Sequence, residues 1–156
     1  MLRSGAAPDL DALAREWDHF PDGVDPYMGT RWIQHAIGSG SAESVDWMIA
    51  RGVELDFCDG GGYTPVHSVL ERAHDDRLEL LDRLLRAGAP VNRKGFNDWT
   101  PAHKAAASDD VDALRVLVRH GADLAIRTTI DDCATPLEEA RLLGKLNAVS
   151  YLESLR

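Results

Sequence analysis

A four-residue phrase recurs along this chain and constrains its fold more than any other feature. Residues 64–67 read Thr-Pro-Val-His, residues 100–103 read Thr-Pro-Ala-His, and residues 135–138 read Thr-Pro-Leu-Glu. The three threonines are 36 and 35 residues apart. A fixed period of roughly 20 to 50 residues is typical of stacked architectures, in which each unit covers the apolar face of its neighbour. The chain is therefore predicted to fold as a stack of repeated units.

A second phrase runs in register with the first. Residues 84–92 read Leu-Leu-Arg-Ala-Gly-Ala-Pro-Val-Asn, and residues 117–125 read Leu-Val-Arg-His-Gly-Ala-Asp-Leu-Ala. Residues 48–55 hold a divergent copy, Met-Ile-Ala-Arg-Gly-Val-Glu-Leu, and Arg-Trp-Ile-Gln at 31–34 stands where its first phrase is expected. Two phrases in one register are much harder to obtain by chance than one. We therefore count four units, of which the first is divergent.

Each phrase favours a helix boundary. The threonine hydroxyl can cap a free backbone N–H, and the fixed φ of proline suits the first helical position. A first helix is therefore predicted to begin at each of Thr64, Thr100 and Thr135. Second helices with one apolar stripe are predicted to end at Gly88 and Gly121, because glycine tolerates the left-handed conformation just past a helix.

The two phrases resemble the signature of the ankyrin repeat, in which a β-turn precedes two helices. The resemblance implies an all-α ankyrin-repeat solenoid, made of helix-turn-helix units with β-turn fingers. It covers residues 27–156 as a single domain. The expected units are about 27–59, 60–95, 96–130 and 131–156. Whether the first unit is a full repeat or an elaborate cap is left open.

A further helix is predicted ahead of the repeats. Residues 8–17 carry apolar residues at helical spacing and acidic residues in the first turn. An end unit exposes an apolar face that only a neighbour or a cap can cover. Residues 1–26 are therefore expected to hold an N-terminal tail and a capping helix, and Trp17, Trp32 and Trp47 are expected in the core.

The histidines and cysteines lack the spacing of a metal or catalytic site. The resemblance gives His67 and His103 a structural role, in which the imidazole hydrogen-bonds and ties one turn to its neighbour. Cys58 and Cys133 are far apart, without the paired spacing of a metal or redox motif. The glycines at 60–62 lack the spacing and the trailing lysine of a phosphate loop. We therefore expect no catalytic activity, no metal and no cofactor.

Charge favours a protein partner over a nucleic acid. The net charge is -9, and residues 1–63 hold 11 acidic but only 4 basic residues. Binding to a polyanion depends on Lys and Arg releasing counterions from phosphates, so nucleic acid is disfavoured and a basic partner is favoured. No apolar stretch approaches the roughly 18 residues of a membrane helix, and residues 1–10 show no signal-peptide run. The chain is expected in the cytoplasm, as a monomer when unbound.

The resemblance also nominates a binding surface. Members of the family commonly bind proteins along a concave surface lined by the turns and the exposed side of the first helices. Counting from each threonine gives the candidate partner-binding residues Tyr27, Met28, Tyr63, Glu71, Arg72, Phe96, Asn97, Trp99, Ser108, Asp131 and Asp132. Four of them are aromatic, in a chain with only 6% aromatic residues. These rings are either anchors of an interface or packed on their own turns.

Two functional hypotheses follow. The first is a protein–protein interaction module that docks its groove on one partner. The alternative is a dedicated inhibitor, of the immunity or antitoxin type, that blocks a basic enzyme. Small size and acidic charge favour the inhibitor, but charge steers association without identifying a partner.

Overall fold

Helices make up the regular structure of this chain. A computed structural model describes residues 7–130 and 132–156. Within those residues the α-helices are α1 (Ala7–Glu16), α2 (Trp32–Ser39), α3 (Ala42–Ala50), α4 (Pro65–Leu70), α5 (Arg77–Arg86), α6 (Pro101–Ala107), α7 (Val111–Arg119), α8 (Pro136–Leu142) and α9 (Leu146–Glu153). A short 3₁₀ turn, Phe96–Asp98, precedes α6. None of these helices has both the length and the apolar character needed to cross a bilayer.

The helices after α1 form four pairs that stack in two rows. The first helices, α2, α4, α6 and α8, pack on one another in that order, and the second helices, α3, α5, α7 and α9, do the same. Ala36, Ala105, Ala106 and Ala140 are fully buried in the first row, where small side chains let neighbouring helices approach closely. The predicted all-α solenoid is confirmed.

One apolar core runs the length of the stack. It extends from Leu10 in α1 to Leu152 in α9 and includes the fully buried Ile37, Leu84 and Leu117. Each unit is too thin to bury its own apolar face, so neighbouring units complete the core of one another. The spatial order of the functional loops is therefore set by this stacking.

The first helices begin where the threonines predict. Thr64 and Thr135 are N-caps whose hydroxyls accept a hydrogen bond from the backbone N–H of residues 67 and 138, both at 3.3 Å. Thr100 occupies the same position ahead of α6, and a proline follows each threonine in the first turn. Gly88 and Gly121 follow α5 and α7 with φ of 97° and 83°, so the predicted glycine stops are confirmed as well.

Helix α1 caps the first end of the stack. Its Leu10 is buried, and the helix packs on α3. The carboxylate of Asp11 accepts a hydrogen bond of 3.1 Å from the Trp47 indole and pairs with Arg51. The Arg51 guanidinium lies 3.5 Å from the centre of the Trp47 ring. Apolar and polar contacts together hold the cap, and Trp47 is buried as predicted.

A pair of leucines tests the core. Leu117 is fully buried in α7, whereas Leu146 in α9 is 78% exposed. We expect Leu117→Ala to lower the free energy of unfolding by about 2 to 5 kcal/mol, because it opens a cavity between units. Leu146→Ala, the control, should change it by less than about 0.5 kcal/mol. Urea denaturation followed by circular dichroism measures both, and equal effects of the two substitutions would contradict the stacking described here.

Candidate partner-binding surface

A turn closed by its own backbone precedes each first helix. We call these turns finger 1 (residues 25–30), finger 2 (59–63), finger 3 (95–99) and finger 4 (128–134). Each is closed by a hydrogen bond from the N–H of its first residue to the carbonyl of its last, at 2.8, 3.0, 2.8 and 3.0 Å respectively. Finger 4 is the longest of the four. Because the first helices are adjacent, the fingers lie side by side.

Buried histidines join one finger to the next. Nδ1 of His67 lies 2.8 Å from the Thr64 hydroxyl, and its Nε2 donates across 3.1 Å to the Trp99 carbonyl of finger 3. His103 repeats the arrangement, with 2.8 Å to the Thr100 hydroxyl and 2.9 Å to the Ala134 carbonyl of finger 4. A carbonyl can only accept, so Nε2 carries the proton and Nδ1 accepts from threonine. The structural role predicted for both histidines is confirmed.

The outer units place other residues at the histidine position. In α2 this position is Gln34, whose Nε2 lies 2.8 Å from the Asp59 carboxylate and 3.4 Å from the Tyr63 carbonyl of finger 2. In α8 it is Glu138, which accepts from the Thr135 backbone N–H at 2.8 Å and pairs with Arg127 at 2.8 and 2.9 Å. Gln34 thus reaches the following finger as a histidine would, whereas Glu138 bonds back to Thr135 and to Arg127, the residue before finger 4.

Direct contacts between fingers add to these ties. The Phe96 backbone N–H donates to the Gly62 carbonyl at 2.6 Å. Gly62 has a φ of 84°, and a Cβ there would lie 3.0 Å from the Cα of Phe96, so both conformation and space favour glycine. The Asp98 carboxylate of finger 3 accepts from the Thr129 hydroxyl of finger 4 at 2.8 Å. Fingers 2, 3 and 4 are therefore connected into one ordered surface in the unbound chain.

Two of the candidate aromatic residues pack on each other across fingers 2 and 3. The rings of Tyr63 and Phe96 are stacked, with centroids 5.7 Å apart and planes 17° from parallel. Phe96 remains 42% exposed, and Tyr63 and Trp99 are half-buried. The rings are thus ordered by a neighbouring finger and still present apolar surface to solvent.

Finger 1 has a buried base and an exposed tip. Asp25 is buried, and its carboxylate accepts from the Tyr27 N–H at 2.7 Å and lies 3.1 Å from Nε2 of His35. Tyr27 and Met28 at the tip are 87% and 73% exposed. Large apolar side chains this open are typical of a contact surface rather than of a core.

Four of the remaining polar candidates lie on the surface. Glu71 is exposed and pairs with Lys104 on the next first helix, and Ser108 is exposed at the end of α6. Asn97 and Asp132 are exposed on fingers 3 and 4. Asp131 lies outside the described residues.

Arg72 is not part of the surface, and its assignment as a partner-binding residue is wrong. Its side chain is buried, and the guanidinium donates to the carbonyls of Ile37 and Gly40 at 2.6 and 2.9 Å. Those carbonyls lie at the end of α2, where helical partners are missing. A bond of 2.7 Å to Asp76 completes the set, and this hydrogen bond lowers the pKa of the Asp76 carboxyl. Arg72 therefore joins the first two units.

One exposed apolar residue was missed from sequence. Ile130 at the tip of finger 4 is 45% exposed. Counting back from the threonine assumed a standard turn, and the lengthened finger brings a different residue to its tip. The signal available in the sequence was the spacing of 35 residues between Thr100 and Thr135, which exceeds the usual ankyrin period of about 33.

Groups of three metal ligands and paired cysteines are both absent from the described residues. No group of three His, Cys, Asp or Glu side chains in residues 7–130 and 132–156 is placed to hold a metal ion. Cys58 and Cys133 are both exposed and unbridged.

Burial and hydrogen bonding set the ionisation of the key side chains. Burial lowers the pKa of His67 from 6.5 to about 4, nearby Lys104 acts in the same direction, and hydrogen bonding to the Trp99 carbonyl opposes both. Burial also lowers the pKa of His103. Hydrogen bonds from the Thr135 N–H and from Arg127 lower the pKa of Glu138 to about 2. Both histidine bridges are therefore neutral at pH 7.

Comparison with known proteins gives a family match over the repeat region. Residues 69–154 match the family model described as ankyrin repeats, in three copies. The chain is 31% identical over 123 residues to XBAT35 of Arabidopsis thaliana, whose name describes an E3 ubiquitin-protein ligase; the match covers 78% of this chain and 26% of that protein. It is 30% identical over 119 residues to the B-cell lymphoma 3 protein homolog of Mus musculus, covering 76% of this chain and 25% of the relative.

A shorter match concerns another mouse protein. The chain is 37% identical over 78 residues to the RelA-associated inhibitor of Mus musculus, covering 50% of this chain and 9% of the relative. This chain thus spans about a quarter of the length of the first two relatives and less of the third.

The histidine bridge makes stability depend on pH. The unfolded chain binds a proton at His67 below pH 6.5, whereas the folded chain resists protonation until about pH 4. The contribution of neutral His67 to the free energy of unfolding is therefore fully present above pH 6.5. It is lost as pH falls towards 4, by up to about 3 kcal/mol for this residue. In His67→Gln, an amide can still donate to the Trp99 carbonyl without titrating. We expect urea titrations from pH 7 to pH 4 to show a smaller loss for this variant, and equal losses would contradict the argument.

Proposed function

The chain belongs to the ankyrin-repeat family, and we propose that it binds one partner protein through its fingers and the exposed side of its first helices. The observation that carries the proposal is the Tyr63–Phe96 stack, which spans two fingers and leaves apolar ring surface open. Partly exposed aromatic side chains flanked by charge are typical of interface hot spots. Because the stack and the finger-to-finger bonds are already formed, less conformational entropy is lost on binding.

The proposed binding residues are chosen by their exposure and not only by their distance from each threonine in sequence. They comprise the exposed or half-buried candidates together with the residue found at the tip of finger 4: Tyr27, Met28, Tyr63, Glu71, Phe96, Asn97, Trp99, Ser108, Ile130 and Asp132. Arg72 is left out because it is buried. The divergent first pair belongs to the same surface, since Gln34 ties it to finger 2 as a histidine would.

We propose a basic partner. The net charge of -9 favours fast association with a positively charged surface and slows encounter with an acidic one. The name of the mouse RelA-associated inhibitor states an association with another protein, which supports a protein as the partner class here. We also propose that residues 27–156 comprise four repeat units. The chain is proposed to be cytoplasmic and to be a monomer when no partner is bound.

Alanine substitutions on opposite faces test the surface. The partner is first identified by affinity capture from the native host, and its Kd is then measured by calorimetry. We expect Tyr63→Ala and Trp99→Ala each to weaken binding about tenfold or more, because each removes an anchor ring. Tyr151→Ala is the matched control, since that half-buried ring lies under Arg115 on the second helices.

Thermal unfolding of the same variants separates binding from folding. If Tyr63→Ala and Trp99→Ala bind normally, or lose affinity only in proportion to lost stability, the fingers are not the interface. Weakening by Tyr151→Ala alone would move the interface to the opposite face.

A second candidate, a dedicated inhibitor of a basic enzyme, draws on the uneven charge. Residues 1–63 hold 11 acidic and 4 basic residues, and so carry most of the negative charge towards one end of the stack. An inhibitor of this type should restore growth to cells that express a toxic enzyme encoded beside it. Stoichiometric binding to such an enzyme without any loss of its activity would exclude this role and leave the interaction module standing.

A further inference from the structure

A cavity opens at the capped end of the stack, beside finger 1. It has a volume of about 610 Å³ and lies between the end of α1, the segment ahead of finger 1 and the start of α2. Its walls include Trp17, Val24 and Trp32, with Asp18 and Asp22 also in the lining. A volume of this size is within the range of roughly 300 to 1,000 Å³ that holds small ligands or a side chain of a partner.

The aromatic walls are held in place from behind. The rings of Trp17 and Trp32 meet edge to face, with centroids 5.4 Å apart and planes at 70°. The buried ring of Phe20 supports Trp32 at 5.3 Å and Trp47 at 5.7 Å. Trp17 and Trp32 themselves are only half-buried, in contrast to the full burial expected from their helix positions. Indole surface therefore remains open towards the cavity.

The ionisable residues of the lining are Asp18, His19, Asp22 and Arg31, and Arg31 is paired with a carboxylate from outside the lining. Arg31 lies in the lining, but its guanidinium pairs with Glu54 at 2.8 Å and lies 4.5 Å from the centre of the Phe57 ring. Asp18 is exposed, and Asp22 accepts only a backbone hydrogen bond, from the Glu54 N–H at 3.2 Å. Neither aspartate has an ion-pair partner among the described residues. Two carboxylates thus face solvent beside two indole rings.

We propose that this cavity binds the guanidinium group of an arginine from a basic segment of a partner protein. Cations are attracted to the face of an aromatic ring, and indole is the most favourable ring. Guanidinium is planar and weakly hydrated, so it can stack on an indole while its edge donates two hydrogen bonds to a carboxylate. A neutral apolar side chain would use the rings but leave the aspartates without a partner. The inference rests on the proposed protein-binding function and adds a second contact at the capped end of the stack, away from fingers 2 to 4.

A short peptide tests the cavity directly. The probe is acetyl-Arg-Arg-Arg-amide, and its control is the isosteric uncharged peptide in which citrulline replaces each arginine. The indole N–H signals of the four tryptophans are followed by NMR during the titration. We expect the signals of Trp17 and Trp32 to shift saturably with the arginine peptide, while the signal of Trp99 in finger 3 stays in place. The citrulline peptide should bind at least about fivefold more weakly, because it lacks the charge.

Matched carboxylate variants identify the site. Asp18→Asn should weaken the arginine peptide about threefold, since it removes one unpaired carboxylate from the lining. Asp75→Asn is the control, because Asp75 is an exposed aspartate outside the cavity lining and its loss changes net charge equally. Equal effects of the two variants, equal binding of the citrulline peptide, or shifts confined to Trp99 would each overturn the proposal.

A finger variant separates this inference from the proposed function. Tyr63→Ala should leave peptide binding at the cavity unchanged while it weakens the full partner. If the peptide fails to bind but the partner still depends on Tyr63, the cavity proposal falls and the interaction surface stands. If the peptide binds but Tyr63→Ala has no effect on the partner, the cavity proposal stands and the finger surface falls.

Discussion

The hydrogen bonds that a buried imidazole makes in two directions hold this molecule in register. One ring nitrogen of His67 accepts from the threonine that begins its own helix, and the other donates to the finger of the next unit. Apolar stacking alone would allow neighbouring units to slide, since it has little directional preference. The imidazole bridge fixes where each finger lies relative to the next. The shape of the exposed finger surface therefore depends on buried side chains.

Much of the fold could be predicted because its signals are local. A threonine followed by proline specifies a helix start within one turn, and a glycine specifies a stop, so Thr64, Thr135 and Gly88 behave as their neighbours in sequence indicate. The surface was harder to predict. Counting placed Arg72 on the concave side, but the direction of a side chain depends on which carbonyls lie near it in space, and here they belong to α2.

Contacts between units explain the other differences. The stacking of Tyr63 on Phe96 depends on how closely fingers 2 and 3 approach each other. The periodicity of residues within one unit gives no information about that distance. Trp32 begins α2 and Trp17 directly follows α1, yet their burial depends on what covers the end of the stack, and the cover provided by α1 and Phe20 is incomplete. In a solenoid, the helices of each unit are therefore easier to predict from sequence than the side-chain contacts between neighbouring units.

The second unit is attached to both of its neighbours by buried side chains that run in opposite directions. His67 reaches forward to finger 3, and Arg72 reaches back to the end of α2. Detaching this layer from either side would break these hydrogen bonds as well as expose apolar surface, so it costs more than the loss of an apolar contact alone. Transient opening should therefore begin at the outermost layers and reach the two inner layers last, so the backbone amides of α4 and α6 are where solvent deuterium would enter most slowly.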